Sequence, residues 1–130
     1  MYEILHHTAD IRLHVTASTL EELFADALRG LMAVMGTAAH GARAEDVALD
    51  SVNVTALLVD FLNEALVRAV VQHRLFTGAA FATLGETHLA GTLTSAPAEE
   101  FDEDVKAVTY HEAEVRRGDR GWTTMLVLDI

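Results

Sequence analysis

Residues 18–36 read STLEELFADALRGLMAVMG, and their apolar positions repeat with the period of a helix. Leu20, Leu23, Phe24, Ala27, Leu28, Leu31, Met32 and Met35 fall at i, i+3, i+4, i+7 spacing, one stripe along the helix. A stripe that wide must be buried, so the rest of the chain has to supply a surface to cover it. Thr19 with Glu22 forms a capping box at the start, and Gly36 is placed to stop the helix. The Met and Leu stripe therefore reads as core.

A second helix is expected over ALLVDFLNEALVRAVVQHR, capped by Thr55. Its buried stripe would be Leu58, Phe61, Leu62, Ala65, Leu66, Ala69 and Val70. Asp60 and Glu64 lie one turn apart on the polar side, and Glu64 can pair with Arg68. That arrangement reads as a solvated face rather than a catalytic dyad.

The remaining segments carry strand signals. Residues 2–5 and 11–16 flank an HHTAD turn, and Ile11, Leu13 and Val15 alternate with Arg12, His14 and Thr16. GTAAHGARAED, 36–46, is small and polar and reads as a loop, with VALDSVNV a strand after it. LFTGAAFATL and THLAGTLTS are strands joined through Gly85-Glu86. APAEEFDED holds the one proline and an acidic run, so it reads as a loop; VKAVTYHEAEV alternates, and RRGDRG makes a turn. The apolar run Met125–Leu128 in WTTMLVLDI suggests an interior strand covered on both faces. There is no internal repeat and no linker. The expected fold is a single α+β domain over 1–130, two-layer, with two helices packed on a mixed, largely antiparallel β-sheet.

Composition narrows the function classes. Twenty Asp and Glu against nine Lys and Arg leave a net charge of −11. The basic residues cluster only at Arg116, Arg117 and Arg120, around the RRGDRG turn. A direct nucleic-acid binder needs a basic patch to displace counterions, so tight direct RNA binding is disfavoured. A basic protein partner or a divalent cation fits better, the alternative being acidity that merely keeps the domain soluble. There is no cysteine, hence no disulfide framework and no thiolate metal site. No apolar run approaches the roughly 18 residues of a membrane helix. MYEILHHTAD lacks the basic and apolar regions of a signal peptide, so a cytoplasmic protein is expected, with no membrane partner.

Catalytic motifs are sparse. The seven histidines include no i, i+4 helical pair, and no nucleophile elbow, Walker loop or dinucleotide fingerprint occurs. One constellation is open to two readings. The chain ends LVLDI, with Asp129 next to Ile130, and HHTAD places Asp10 just before a strand. Strand-end aspartates are often simply solvated. If Asp10 met Asp129, the two charges about 5 Å apart would repel by roughly 1–3 kcal/mol, and a hard cation would convert that repulsion into binding.

YEILHHTADIRLHV, TLEELFADALRGLMAVM, LLVDFLNEALV, VKAVTYHEAEV and the ending LVLDI, taken in order, resemble the archease family over the whole chain. The resemblance implies a small accessory protein, not a catalyst, that assists an RtcB-type RNA ligase. Such a ligase joins a 2′,3′-cyclic phosphate or 3′-phosphate end to a 5′-hydroxyl and is guanylylated on a histidine with Mn²⁺ and GTP. An archease accelerates guanylylation and permits multiple turnover in tRNA splicing and RNA repair, and the family is linked with chaperone-like activity. The resemblance also implies a divalent metal site at Asp10, Asp129 and Ile130, for Ca²⁺ first and Mg²⁺ or Mn²⁺ next, and a functional Lys106. Asp60 matches the acidic position of the family's LLVDWLNE segment, with Phe61 in place of tryptophan. SAPAEEFDEDVKA departs from relatives that carry a longer basic stretch before KAVTYH. The competing readings are a small carboxylate- and metal-dependent hydrolase and a general chaperone-like module.

Overall fold

Helix α1 (Leu20–Met35) begins where the capping pattern places it: the Thr19 hydroxyl oxygen accepts the Glu22 N–H at 3.2 Å. Glu22 accepts in turn from the Ser18 hydroxyl at 3.0 Å. The computed structural model describes residues 1–6 and 10–130; the turn expected at HHTAD lies, for His7, Thr8 and Ala9, outside the described residues. The helix stops at Gly36 for a different reason than expected. With φ at 166° Gly36 is extended, and the chain passes directly into a strand. A Cβ at Gly36 would lie 2.0 Å from the Glu100 carbonyl oxygen, so close backbone approach demands the glycine.

Helix α2 (Val54–Gln72) is capped by Asn53, not Thr55: Asn53 Oδ1 accepts the Ala56 N–H at 2.8 Å. Thr55 is spent elsewhere, accepting the Val115 N–H at 3.0 Å. The α2 stripe is buried from Leu58 to Ala69, but Val70 is 57% exposed, contrary to its expected place in the core. Arg68 Nε meets Glu64 at 2.6 Å as the spacing implies, and its other nitrogen reaches Glu45 at 3.1 Å.

The strands are β1 (Tyr2–His6), β2 (Asp10–Ala17), β3 (Gly36–Ala38), β4 (Arg43–Asp50), β5 (Arg74–Leu84), β6 (His88–Phe101), β7 (Ala107–Thr109), β8 (Arg116–Gly118) and β9 (Gly121–Asp129). The α+β class holds and every pairing is antiparallel, but the strands divide between two sheets rather than one. One sheet has the order β1-β2-β9-β7, with β8 also on β9; the other has β3-β6-β4, with β5 on β6. Each helix touches strands of both sheets. Phe24 of α1, Phe61 of α2 and Phe81 of β5 meet with ring centroids 5.5–6.1 Å apart, mostly edge to face. No helix among the described residues is long and apolar enough to cross a membrane.

Three segments differ from expectation. Residues 36–46 are not all loop: β3 opens them, and β4 starts at Arg43, ahead of VALDSVNV. APAEEF belongs to β6, where the adjacent Glu99 and Glu100 are both exposed; Pro97 lies beside a register shift of β3 on β6, where a missing N–H is tolerated. Of VKAVTYHEAEV only Ala107–Thr109 pairs, against Asp129–Val127. The same edge of β9 is then taken by β8 at Thr123, so 110–115 turns away, with the Ala113 N–H bonded to the Tyr110 carbonyl at 3.1 Å.

Candidate functional site

Strand β9 is interior, and its end gathers the starts of two neighbours. Asp10 opens β2 directly opposite Asp129, and Ala107 opens β7 opposite the same Asp129 on the other side. Directly opposed residues of antiparallel strands project to one face, so the Asp10 and Asp129 side chains share a face. Ile11, Leu13 and Leu128 are buried toward the helices, which puts the two aspartates on the sheet's outer face. The Lys106 N–H donates to the Asp129 carbonyl at 2.7 Å, and its side chain is exposed. Ile130 is half-buried and packs against the edge of the core. Asp10, Asp129, Ile130 and Lys106 thus meet at one end of one sheet.

Arg12 follows Asp10 on the same face. Its Nε lies 3.7 Å from Asp10 Oδ1, and its terminal nitrogen bonds Glu112 Oε2. Both Arg12 Nε and Asp10 Oδ1 are buried without a hydrogen-bond partner among the described residues. A buried carboxylate oxygen left without a donor is costly. This orphaned oxygen and a second carboxylate on the same face are hard oxygen donors, the chemistry that Ca²⁺ and Mg²⁺ select. The residues therefore fit such a cation, although no group of three His, Cys, Asp or Glu stands in metal-holding arrangement among the described residues.

Asp60 is not part of this cluster. Its carboxylate accepts from the Ser51 hydroxyl at 2.9 Å and from the Tyr110 hydroxyl. The hydrogen bond to Asp60 first, then burial and the nearby negative charge, holds the Tyr110 phenol above its ordinary range. One turn on, Asn63 Nδ2 donates to the Val108 carbonyl at 2.8 Å while its Oδ1 accepts the Val108 N–H at 2.9 Å. Asn63 replaces the strand that β7 lacks on its outer edge. Asp60 and Asn63 together fasten 108–110 to α2, and β7 in turn flanks Asp129. Sequence reasoning missed Arg12, Asn63, Tyr110 and Glu112; the signal for Asn63 was its place one turn beyond Asp60 on the same helix.

The basic cluster near the RRGDRG turn is largely engaged within the chain. Arg116 pairs with Glu114 at 2.8 Å, and the Arg117 guanidinium lies 5.5 Å from the centre of the Trp122 ring.

The model of the Archease protein family matches residues 2–130. The chain belongs to the archease family. The archease of Methanosarcina barkeri is 30% identical over 139 residues, covering 99% of this chain and 95% of its own. That of Thermococcus kodakarensis is 29% identical, covering 99% and 98%. Among solved structures, protein 1598 of Methanobacterium thermoautotrophicum superposes with a TM-score of 0.68 at 25% identity, over 99% and 98% of the two chains. An archease from Thermotoga maritima, described as a possible chaperone, shares the fold at a TM-score of 0.72 and 18% identity, over 100% and 98%. Family membership thus covers both strands that carry the paired aspartates.

Proposed function

We propose that this chain is a non-catalytic activator of an RtcB-type RNA ligase, promoting guanylylation and multiple turnover in tRNA splicing and RNA repair in the cytoplasm. The observation that carries the reading is the Asp10–Asp129 register with Lys106 bonded alongside, in a chain of the archease family. A divalent cation, Ca²⁺ first and Mg²⁺ or Mn²⁺ next, would be held by Asp10, Asp129 and an oxygen of Ile130. When bound it supplies positive charge that neutralises the two carboxylates and orders the strand ends. Lys106 presents an ammonium beside that point, able to meet an acidic or phosphate group of the ligase complex. The net charge of −11 repels RNA phosphates and attracts basic protein surface, which suits a domain that approaches the ligase rather than its RNA.

The test mixes ligase, GTP, Mn²⁺ and excess broken RNA with a substoichiometric amount of this protein. Faster guanylylation and multiple rounds of joining are expected, with no joining by the protein alone. Unchanged turnover with several cognate ligases, together with Asp10-dependent hydrolysis of a phosphate ester by the protein alone, would replace the activator reading with the hydrolase one.

A further inference from the structure

Helix α2 leaves part of its apolar surface uncovered. Val67, Val70 and Val71 are 59, 57 and 78% exposed, and their i, i+3, i+4 spacing sets them side by side. Single exposed valines are ordinary, whereas three adjoining ones make a patch. Valine is also a poor helix former, because its branched side chain loses rotamer freedom against the preceding turn. At these positions the core gives nothing back for that loss.

The patch is one wall of a groove of 340 Å³ whose buried floor is Leu66 and Val105 and whose far rim is Asp104 and Lys106. Beyond Val70 a second depression of 400 Å³ continues toward Phe101, bordered by Asp102, Glu103 and Asp104. The two share Val70, Asp104 and Val105, so they form one trough between α2 and the 101–106 segment. None of Asp102, Glu103 and Asp104 makes an ion pair among the described residues, while Asp26, Glu45 and Glu64 elsewhere all do. An apolar wall thus faces uncompensated negative charge.

We propose that this trough docks a short basic segment of a partner protein, with apolar side chains on the valine wall and Lys or Arg against the acidic rim. Charge decides the occupant. Nucleic acid is repelled by the rim, and a second copy of a chain with net charge −11 would bring like charge to it. A basic segment satisfies both walls at once. Lys106 ends the trough and bonds through its N–H to the Asp129 carbonyl, so a docked segment lies next to the paired aspartates. Where the partner is the ligase, the inference rests on the activator reading and gives it a contact surface.

The experiment measures affinity for the cognate ligase by calorimetry for the wild type, for Val67→Ser/Val70→Ser and for Asp102→Asn/Asp104→Asn. These positions are exposed or on the rim, so folding should persist, checked by an unchanged melting temperature. Each pair is expected to weaken binding about tenfold or more, and wild-type affinity should fall with added salt. Full affinity in the valine variant overturns the proposal. If the wild type binds no ligase, the activator reading fails on its own, and a labelled peptide with a leucine core flanked by Lys and Arg tests the trough. That peptide should perturb the amide signals of residues 66–71 and 102–106, and a Glu-flanked counterpart should not. Binding by neither peptide, or equal binding by both, overturns the trough as a basic-segment site.

Discussion

Asp10 carries a buried oxygen without a donor among the described residues, faced by an arginine that is 3.7 Å away and already bonded to Glu112. Arg12 offsets the charge of the carboxylate pair, and for the same reason opposes a bound cation. Ca²⁺, Mg²⁺ or Mn²⁺ should raise the melting temperature, by the equivalent of about 2.7 kcal/mol at a hundredfold excess over Kd. Asp10→Ala should abolish that shift, and Arg12→Ala should tighten cation binding while lowering stability without the cation. An equal shift in Asp10→Ala, or unchanged affinity in Arg12→Ala, contradicts this reading of the pair. Tyr110 offers a second residue-level check. Its phenol is held above the usual value near 10 by the hydrogen bond to Asp60, so the protonated form is the one the fold favours. The stability it contributes is therefore complete below about pH 10 and is lost as pH rises through the raised value. Phenolate absorbance should show Tyr110 ionising above the ordinary tyrosine range in the wild type and within it in Asp60→Asn; an unchanged titration of Tyr110 in Asp60→Asn counts against the Asp60 bond. Lys106 is exposed, and its side chain makes no hydrogen bond or ion pair among the described residues, so Lys106→Ala should change stability by less than about 0.5 kcal/mol yet lose ligase stimulation. Full stimulation by the folded variant would leave Lys106 an ordinary surface residue.

At the level of elements, α2 acts as a clasp. Asn63 satisfies both backbone groups of Val108, and Thr55 accepts from Val115, so one helix holds both ends of the segment that leaves β9. Asn63→Ala should cost about 2–3 kcal/mol, two hydrogen bonds plus partly buried backbone groups left unpaired, read as a lower urea midpoint. Amide exchange at Val108 should accelerate with it; an unchanged midpoint would mean that β9 alone holds β7. These links explain what the sequence could and could not disclose. The α1 stripe, its Thr19 cap and the strand pair around HHTAD are local patterns, and all are present as read. Asn53 supplanting Thr55 at the α2 start was hidden, because two neighbouring residues could each cap and only the fold directs Thr55 to Val115. Pro97 and the acids concealed the far half of β6, since proline is tolerated at a register shift that no local pattern marks.

For the whole molecule, two antiparallel sheets share the two helices, and β9 in the interior of one sheet carries the chain's end to the start of β2. The meeting of Asp10 with Asp129 is a product of that topology. Sequence alone left it as one of two readings, because the contact spans nearly the full chain and depends on β9 lying between β2 and β7. Val70 shows the opposite case: helical periodicity assigns it to the core, but while its neighbour Ala69 is fully buried, Val70 is 57% exposed and faces a trough instead. On the activator reading, the two aspartates form one site on which ligase stimulation depends. The direct measurement is multiple-turnover ligation stimulated by the wild type, Asp10→Ala, Asp129→Ala and the double variant, each checked for folding. If the pair acts as a unit, either single change should remove most of the stimulation, and the double variant should be little worse than either. Stimulation that survives both changes, or losses that multiply as independent effects, would contradict it.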